Sequence, residues 1–192
     1  MSAPQEAGGW EAAWQPLVDC LGQDFSDGEV AWGADPVEAG GIRRYLEPLE
    51  FDCALHHDRQ AAQAMGHADV LAPCASLMTW SLPAQWTPGR RLFDEPGRNA
   101  RPAYSPLTGV RPAQAPPTTG FFATEFDADF LLPVVAGDHI GRRASRLLAC
   151  RPRQTAVGRG AFLTWEYDIV NQRLALVAQV RMTLFYFNPL TA

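Results

Sequence analysis

The apolar positions of this chain change their rhythm about two-thirds of the way along. Before residue 87 they recur at helical spacing, and after residue 118 they alternate. Glu29-Val30-Ala31-Trp32 reads as a short strand. Asp35-Pro36-Val37-Glu38 then has the form of a helix start, with Asp as the cap, Pro in the first turn and an acid behind it. The helix it predicts carries Ile42, Tyr45, Leu46 and Leu49 on one face, is weakened by Gly40-Gly41 and ends at Pro48. A second short helix is predicted from Asp58, as its cap, to Met65, with Gly66 as its stop. A third begins near Pro73 and contains Ala75, Leu77, Met78, Trp80, Leu82 and Trp86. Apolar residues all round an axis predict a helix buried on every side, with Trp80 and Trp86 in the core.

Four β-like segments follow, at 121–132, 139–150, 161–170 and 174–187. In the third, Leu163, Trp165, Tyr167 and Ile169 alternate with Thr164, Glu166 and Asp168; in the fourth, Val180, Met182 and Leu184 alternate with Gln179, Arg181 and Thr183. Period two marks half-buried antiparallel strands. Asn171-Gln172-Arg173 predicts a hairpin turn between the last two, and Gly158-Arg159-Gly160 another turn. Helices first and an antiparallel meander afterwards predict an α+β fold, a curved antiparallel sheet wrapped around a buried central helix. Residues 1–192 are expected as a single domain, with an N-terminal extension at 1–23 and a long Pro/Gly/Arg-rich loop at 87–118.

Composition narrows the chemistry. With 16 basic and 21 acidic residues the net charge is −5, and every basic residue is Arg. A chain without lysine has no Schiff base, no Walker-type phosphate loop and no Ser-Lys dyad. The acidic balance argues against nucleic acid as a partner. No apolar run is long enough to span a membrane. Residues 1–10 lack the basic and apolar regions of a signal peptide, so a cytoplasmic location is expected. Cys20, Cys53, Cys74 and Cys150 form no C-x-x-C pair and are expected reduced, without a structural zinc.

The chemistry-bearing stretch is Asp52-Cys53-Ala54-Leu55-His56-His57-Asp58, where a carboxylate and a histidine stand close together before a helix. Asp52 with His56 or His57 is a candidate general acid/base pair. Pro73-Cys74-Ala75 opens the buried helix, and its free amides are candidates to hold a thioester oxygen. His56, His57, Asp58 and His67 are not expected to bind a metal, since adjacent histidines point apart. The Cys74 side chain is expected to serve packing, its amide being the useful group. Arg142, Arg143, Arg146, Arg151 and Arg153 either meet coenzyme A phosphates or an acidic carrier protein, or form a solvated sheet face.

These segments resemble the MaoC-like (R)-specific enoyl-thioester hydratases and 3-hydroxyacyl dehydratases, whose motif runs G-D-x-N-P-[IL]-H-x-D-x-x-x-A. Ala54-Leu55-His56-His57-Asp58 with Ala62 resembles its second half, and Ala72-Pro73-Cys74 its helix entry. Gly137-Asp138-His139-Ile140 and the final hairpin are similar too, and the likeness is greatest to the FAS1-like (MaoC N-terminal) dehydratase subgroup. The resemblance implies a hotdog fold and a 3-hydroxyacyl-thioester dehydratase or trans-2-enoyl-thioester hydratase. It implies His56 and Asp52 as catalytic residues, and Pro73, Cys74, Ala75 and His57 against the substrate. The substrate would be carried on coenzyme A or an acyl carrier protein, no cofactor would be needed, and a homodimer or a heterodimer with another hotdog subunit is implied. With His56 in the place of the family histidine, the family aspartate falls on Phe51 and Asp52 stands one residue off. The alternative register pairs Asp52 with His57. The Phe51 departure motivates a second reading, a non-catalytic hotdog subunit supporting a catalytic MaoC-like partner.

Overall fold

The computed structural model describes residues 9–93 and 112–190. Five strands form one antiparallel sheet in the order β1-β3-β4-β5-β2: β1 Ala31–Trp32, β2 Gly120–Phe130, β3 Ile140–Thr155, β4 Gly158–Asn171 and β5 Leu176–Asn188. The sheet is open, with β1 and β2 at its edges. The helices α1 (Gly9–Ala12), α2 (Gln15–Val18), α3 (Ala39–Leu46), α4 (Arg59–Ala64) and α5 (Leu77–Trp80) are all short. The architecture is the expected α+β hotdog, although its central helix is a fragment.

Two apolar clusters sit on the helix-bearing face of the sheet. One joins Ile42, Leu46 and Leu77 to Ile140, Ile169 and Val180. The other joins Trp14 and Leu17, from the segment expected as an extension, to Leu147, Leu163 and Trp165. Burial of each such aliphatic side chain stabilises the fold by about 1.5–3 kcal/mol.

Several local expectations are corrected. Asp35 caps no helix: it lies in a bend, Val37 donates to the Asp138 carbonyl and accepts from Gly137, which holds Val37 out of the helix, and α3 begins at Ala39 after Glu38. Leu49 is exposed in a 3-10 turn beyond α3. The central helix is a 3-10 turn, Cys74–Ser76, followed by α5, and ends at Trp80, well short of Trp86. Pro83 disfavours helical backbone at Leu82 and offers no N–H of its own. Trp86 is therefore exposed, Cys74, Ala75 and Thr79 are exposed as well, and only Trp80 of the two tryptophans packs on the core. Gly158-Arg159-Gly160 lies inside β4 and not in a turn. A side chain at Gly160 would meet the Tyr186 carbonyl, so glycine lets β5 approach there. Of the loop expected at 87–118, residues 94–111 lie outside the described residues.

Candidate functional site

The site is built on a tight turn and an extended segment that lock together. Residues Ala54–His56 form one 3-10 turn. Asp58 follows as the cap of α4, its side chain accepting from the Gln60 and Ala61 amides at 2.8 and 3.2 Å. Opposite the turn, Leu71 uses both of its backbone groups on it. The Leu71 N–H donates to the Leu55 carbonyl at 2.9 Å, and the Leu71 carbonyl accepts from His56 Nδ1 at 2.8 Å. A carbonyl can only accept, so the proton of a neutral His56 sits on Nδ1 and its Nε2 keeps a lone pair. The half-buried ring has Phe51 beside it, centroids 5.6 Å apart.

Leu71 also leads into the central helix. The Ala72 amide donates to Val134 and the Ala136 amide to Val70, which fixes the entry against residues 134–136. Pro73 is buried, while Cys74 and Ala75 are exposed, so the Cys74 side chain is not a packing group as expected. The Ser76 amide bonds back to Pro73, but the Cys74 and Ala75 amides take no backbone acceptor among the described residues. Two open donors thus lie close in sequence to the residue that orients His56. A lone pair able to take a proton and donors able to hold an oxyanion are the elements of proton abstraction beside a carbonyl.

Asp52 is bonded to His57 and not to His56. Its side chain is 95% exposed, and its Oδ1 stands 3.2 Å from Nε2 of His57, itself half exposed. The pairing is that of the alternative register, and His56 has Phe51 and Leu71 as neighbours. Arg59 clamps Asp69 with two hydrogen bonds, 3.0 and 2.6 Å, tying α4 to the chain just before the helix entry. The Val70 amide, and then Arg59, hold the Asp69 carboxyl below the usual range. Among the described residues no group of three or more His, Cys, Asp or Glu side chains could share a metal ion.

A cavity of about 700 Å³ lies on the same face of the sheet, with Met78 of α5 in its wall and His56 outside its lining. Tyr167 lines it, its hydroxyl raised above the ordinary value by burial although Arg142 opposes the shift. Arg142 faces this cavity, its guanidinium 5.9 Å from the Tyr167 ring centroid. Arg143 and Arg146 turn to the other face and pair with Asp168 and Glu166. Arg151 and Arg153 line a groove there with Phe162 and Thr183. The five arginines therefore form no single surface. Sequence reasoning missed Leu71 and this cavity: a backbone carbonyl leaves no signature in residue type, and the cavity's lining is gathered from segments far apart in the chain, from Phe25 to Tyr186.

Residues 28–180 match the family described as FAS1-like, dehydratase domain region. A probable enoyl-CoA hydratase alpha subunit of Thermomonospora curvata is 27% identical over 162 residues, 84% of this chain and 48% of that protein. The chain thus spans about half the length of this curated relative. Among solved structures, the ChsH1-ChsH2 complex of Mycobacterium tuberculosis superposes with a TM-score of 0.63 at 19% identity, covering 96% of both chains. The C-terminally truncated HadBC complex, a 3R-hydroxyacyl-ACP dehydratase of the same organism, gives 0.57 at 15% identity, over 87% of this chain and 97% of that one. At these identities the structural likenesses speak to the fold.

Proposed function

This chain belongs to the FAS1-like dehydratase domain family, within the MaoC-like hotdog dehydratases and hydratases, and on that premise we propose that it interconverts 3-hydroxyacyl and trans-2-enoyl thioesters. The observation that carries the reading is the His56 ring, oriented by the Leu71 carbonyl beside the helix entry. In the dehydration direction Nε2 of His56 removes the α-proton while the thioester oxygen gathers charge. The Cys74 and Ala75 amides hold that oxygen, a contribution of about 2.7–4 kcal/mol per donor in comparable sites. The β-hydroxyl then leaves as water, its extra proton supplied by the Asp52–His57 pair, and the Cα–Cβ double bond forms. Proton removal and water loss balance without a redox cofactor. The thioester is borne by coenzyme A or an acyl carrier protein, and the working unit is a homodimer or a heterodimer with another hotdog chain. The reading is tested by hydration of crotonyl and longer trans-2-enoyl thioesters, on both carriers, by the purified chain alone. Turnover supports it, and no turnover on any of them overturns catalysis by this chain on its own and leaves the partner-dependent reading below.

The Phe51 ring beside His56, with Asp52 turned to His57, favours a second reading. Here the chain is a non-catalytic hotdog subunit completing the site of a MaoC-like partner. Gel filtration after co-expression with a neighbouring MaoC-like protein separates the two, because only this reading requires a stable mixed complex.

A further inference from the structure

The polar groups of the cavity are not spread evenly. Met78, Trp165, Met182 and Leu184 give it apolar walls, while Asp27 and Glu29, both exposed, stand at its rim. Ser26 and Ser145 lie on the side where Asp24 accepts from their amides. On the sheet itself the polar groups are Arg142 and Tyr167, and strand register brings these two together. Arg142 on β3 pairs with Ile169 on β4, and Tyr167 lies two residues along β4, on the same face. The Tyr167 ring packs against both apolar clusters. Its hydroxyl nonetheless makes no hydrogen bond to any of the described residues.

A hydroxyl set in an apolar wall gains from any partner it can find, and the chemistry of this pair decides which partner fits. Burial holds the phenol protonated against the pull of Arg142, so it meets a ligand as a donor. A guanidinium can only donate. The sheet side of the cavity therefore offers protons and is matched by an acceptor. A carboxylate would have to pass the like charges of Asp27 and Glu29, whereas an uncharged oxygen meets no such barrier. We propose that the Tyr167 hydroxyl, with Arg142 beside it, recognises a neutral carbonyl oxygen on the apolar group the cavity holds. Tyr167 is then a specificity-determining residue that selects oxygen-bearing groups over plain hydrocarbon ones. That the occupant is an acyl group rests on the function proposed above; the demand for an acceptor oxygen rests on Tyr167 and Arg142.

The test is equilibrium dialysis at pH 7 with the purified chain and three probes of one size. These are 2-acetylnaphthalene as the ketone, 2-ethylnaphthalene as its hydrocarbon match and 2-naphthoate as the carboxylate. Tyr167→Phe, which removes a single oxygen, should weaken the ketone about three- to tenfold, the worth of one neutral hydrogen bond. It should leave the hydrocarbon and the circular dichroism spectrum unchanged. The infrared carbonyl stretch of the isotope-labelled ketone should fall below its hexane position on binding to the wild type, and move back toward it in the variant. The carboxylate should bind the wild type more weakly than the ketone. A ketone affinity that falls no more than the hydrocarbon's in the folded variant overturns the proposal. So does a wild-type carbonyl stretch at the hexane position, tighter binding of the carboxylate, or no binding of the ketone at all. Should the variant misfold, the wild-type infrared band decides. None of the probes is a thioester, so failure of the hydratase reading leaves this result standing, and the reverse.

Discussion

Gly33 is where the end of the central helix meets the sheet, and replacing it by alanine is a sharp test of that contact. A Cβ built there would lie 1.8 Å from the backbone oxygen of Trp80 and 3.0 Å from that of Ile140. Real Cβ contacts do not fall below 3.0 Å, so the Trp80 carbonyl and residue 33 must separate by about 1.2 Å. Neither atom belongs to a flexible side chain. The Gly33 amide is bonded to Ile140, and its carbonyl accepts from His139 Nε2 at 2.8 Å, so residue 33 is held on both sides. Overpacking of this kind costs about 1–3 kcal/mol, and a backbone-to-backbone clash belongs at the upper end. For a domain of this length, about 3 kcal/mol lowers the melting temperature by roughly 6–12 °C. Gly40→Ala is the control: nothing lies within 4 Å of its Cβ, and it sits in α3, where alanine should gain about 0.5–1 kcal/mol. Thermal unfolding by circular dichroism at one protein concentration compares the two. A Gly33→Ala variant melting within about 2 °C of the wild type would refute the packing of helix end on strand.

Asp24 pins the bulge in β3 by accepting from the Ser145 amide at 2.8 Å and from the Ser26 amide at 2.9 Å. Burial pushes its carboxyl up, but those amides and Arg146 together hold it below the ordinary value. A depressed carboxyl contributes stability that is present above the unfolded value, about 3.9, and lost as pH falls through the folded one. Asp24→Asn should thus melt below the wild type at pH 7, with the gap closing under acid; a gap constant with pH contradicts this. Thiol labelling at pH 8 with mass-spectrometric readout should modify exposed Cys74 first. It should leave Cys150 intact, since burial pushes that thiol up to about 11; early labelling of Cys150 counts against the packing of the second cluster.

The sheet was legible because alternation is a property of residue type. The hairpin at 171–175 was legible for the same reason, although its closure needs Asn171 Oδ1 on the Arg173 and Ala175 amides and a left-handed Leu174. Element ends were less so. β3 runs to Thr155 through Pro152, and β4 begins at Gly158, because the Gly160 backbone sits against Tyr186 and cross-strand approach overrides the turn preference of glycine. Gly41 looked like a weakness in α3, yet its missing side chain is where the Trp80 ring packs. Of the candidate site, Asp58 as a cap followed from spacing. The partner of Asp52 hung on a one-residue choice of register. The Leu71 carbonyl that orients His56 comes from fifteen residues away, a contact no local pattern encodes.

The measurement that bears most directly on the proposed chemistry is kcat/KM for trans-2-enoyl thioester hydration by the wild-type chain and its His56→Ala variant, both checked for an unchanged circular dichroism spectrum. With His56 as the base, the variant should lose about 10²–10⁴-fold. A folded variant that hydrates at the wild-type rate would remove His56 from the reaction and contradict the account.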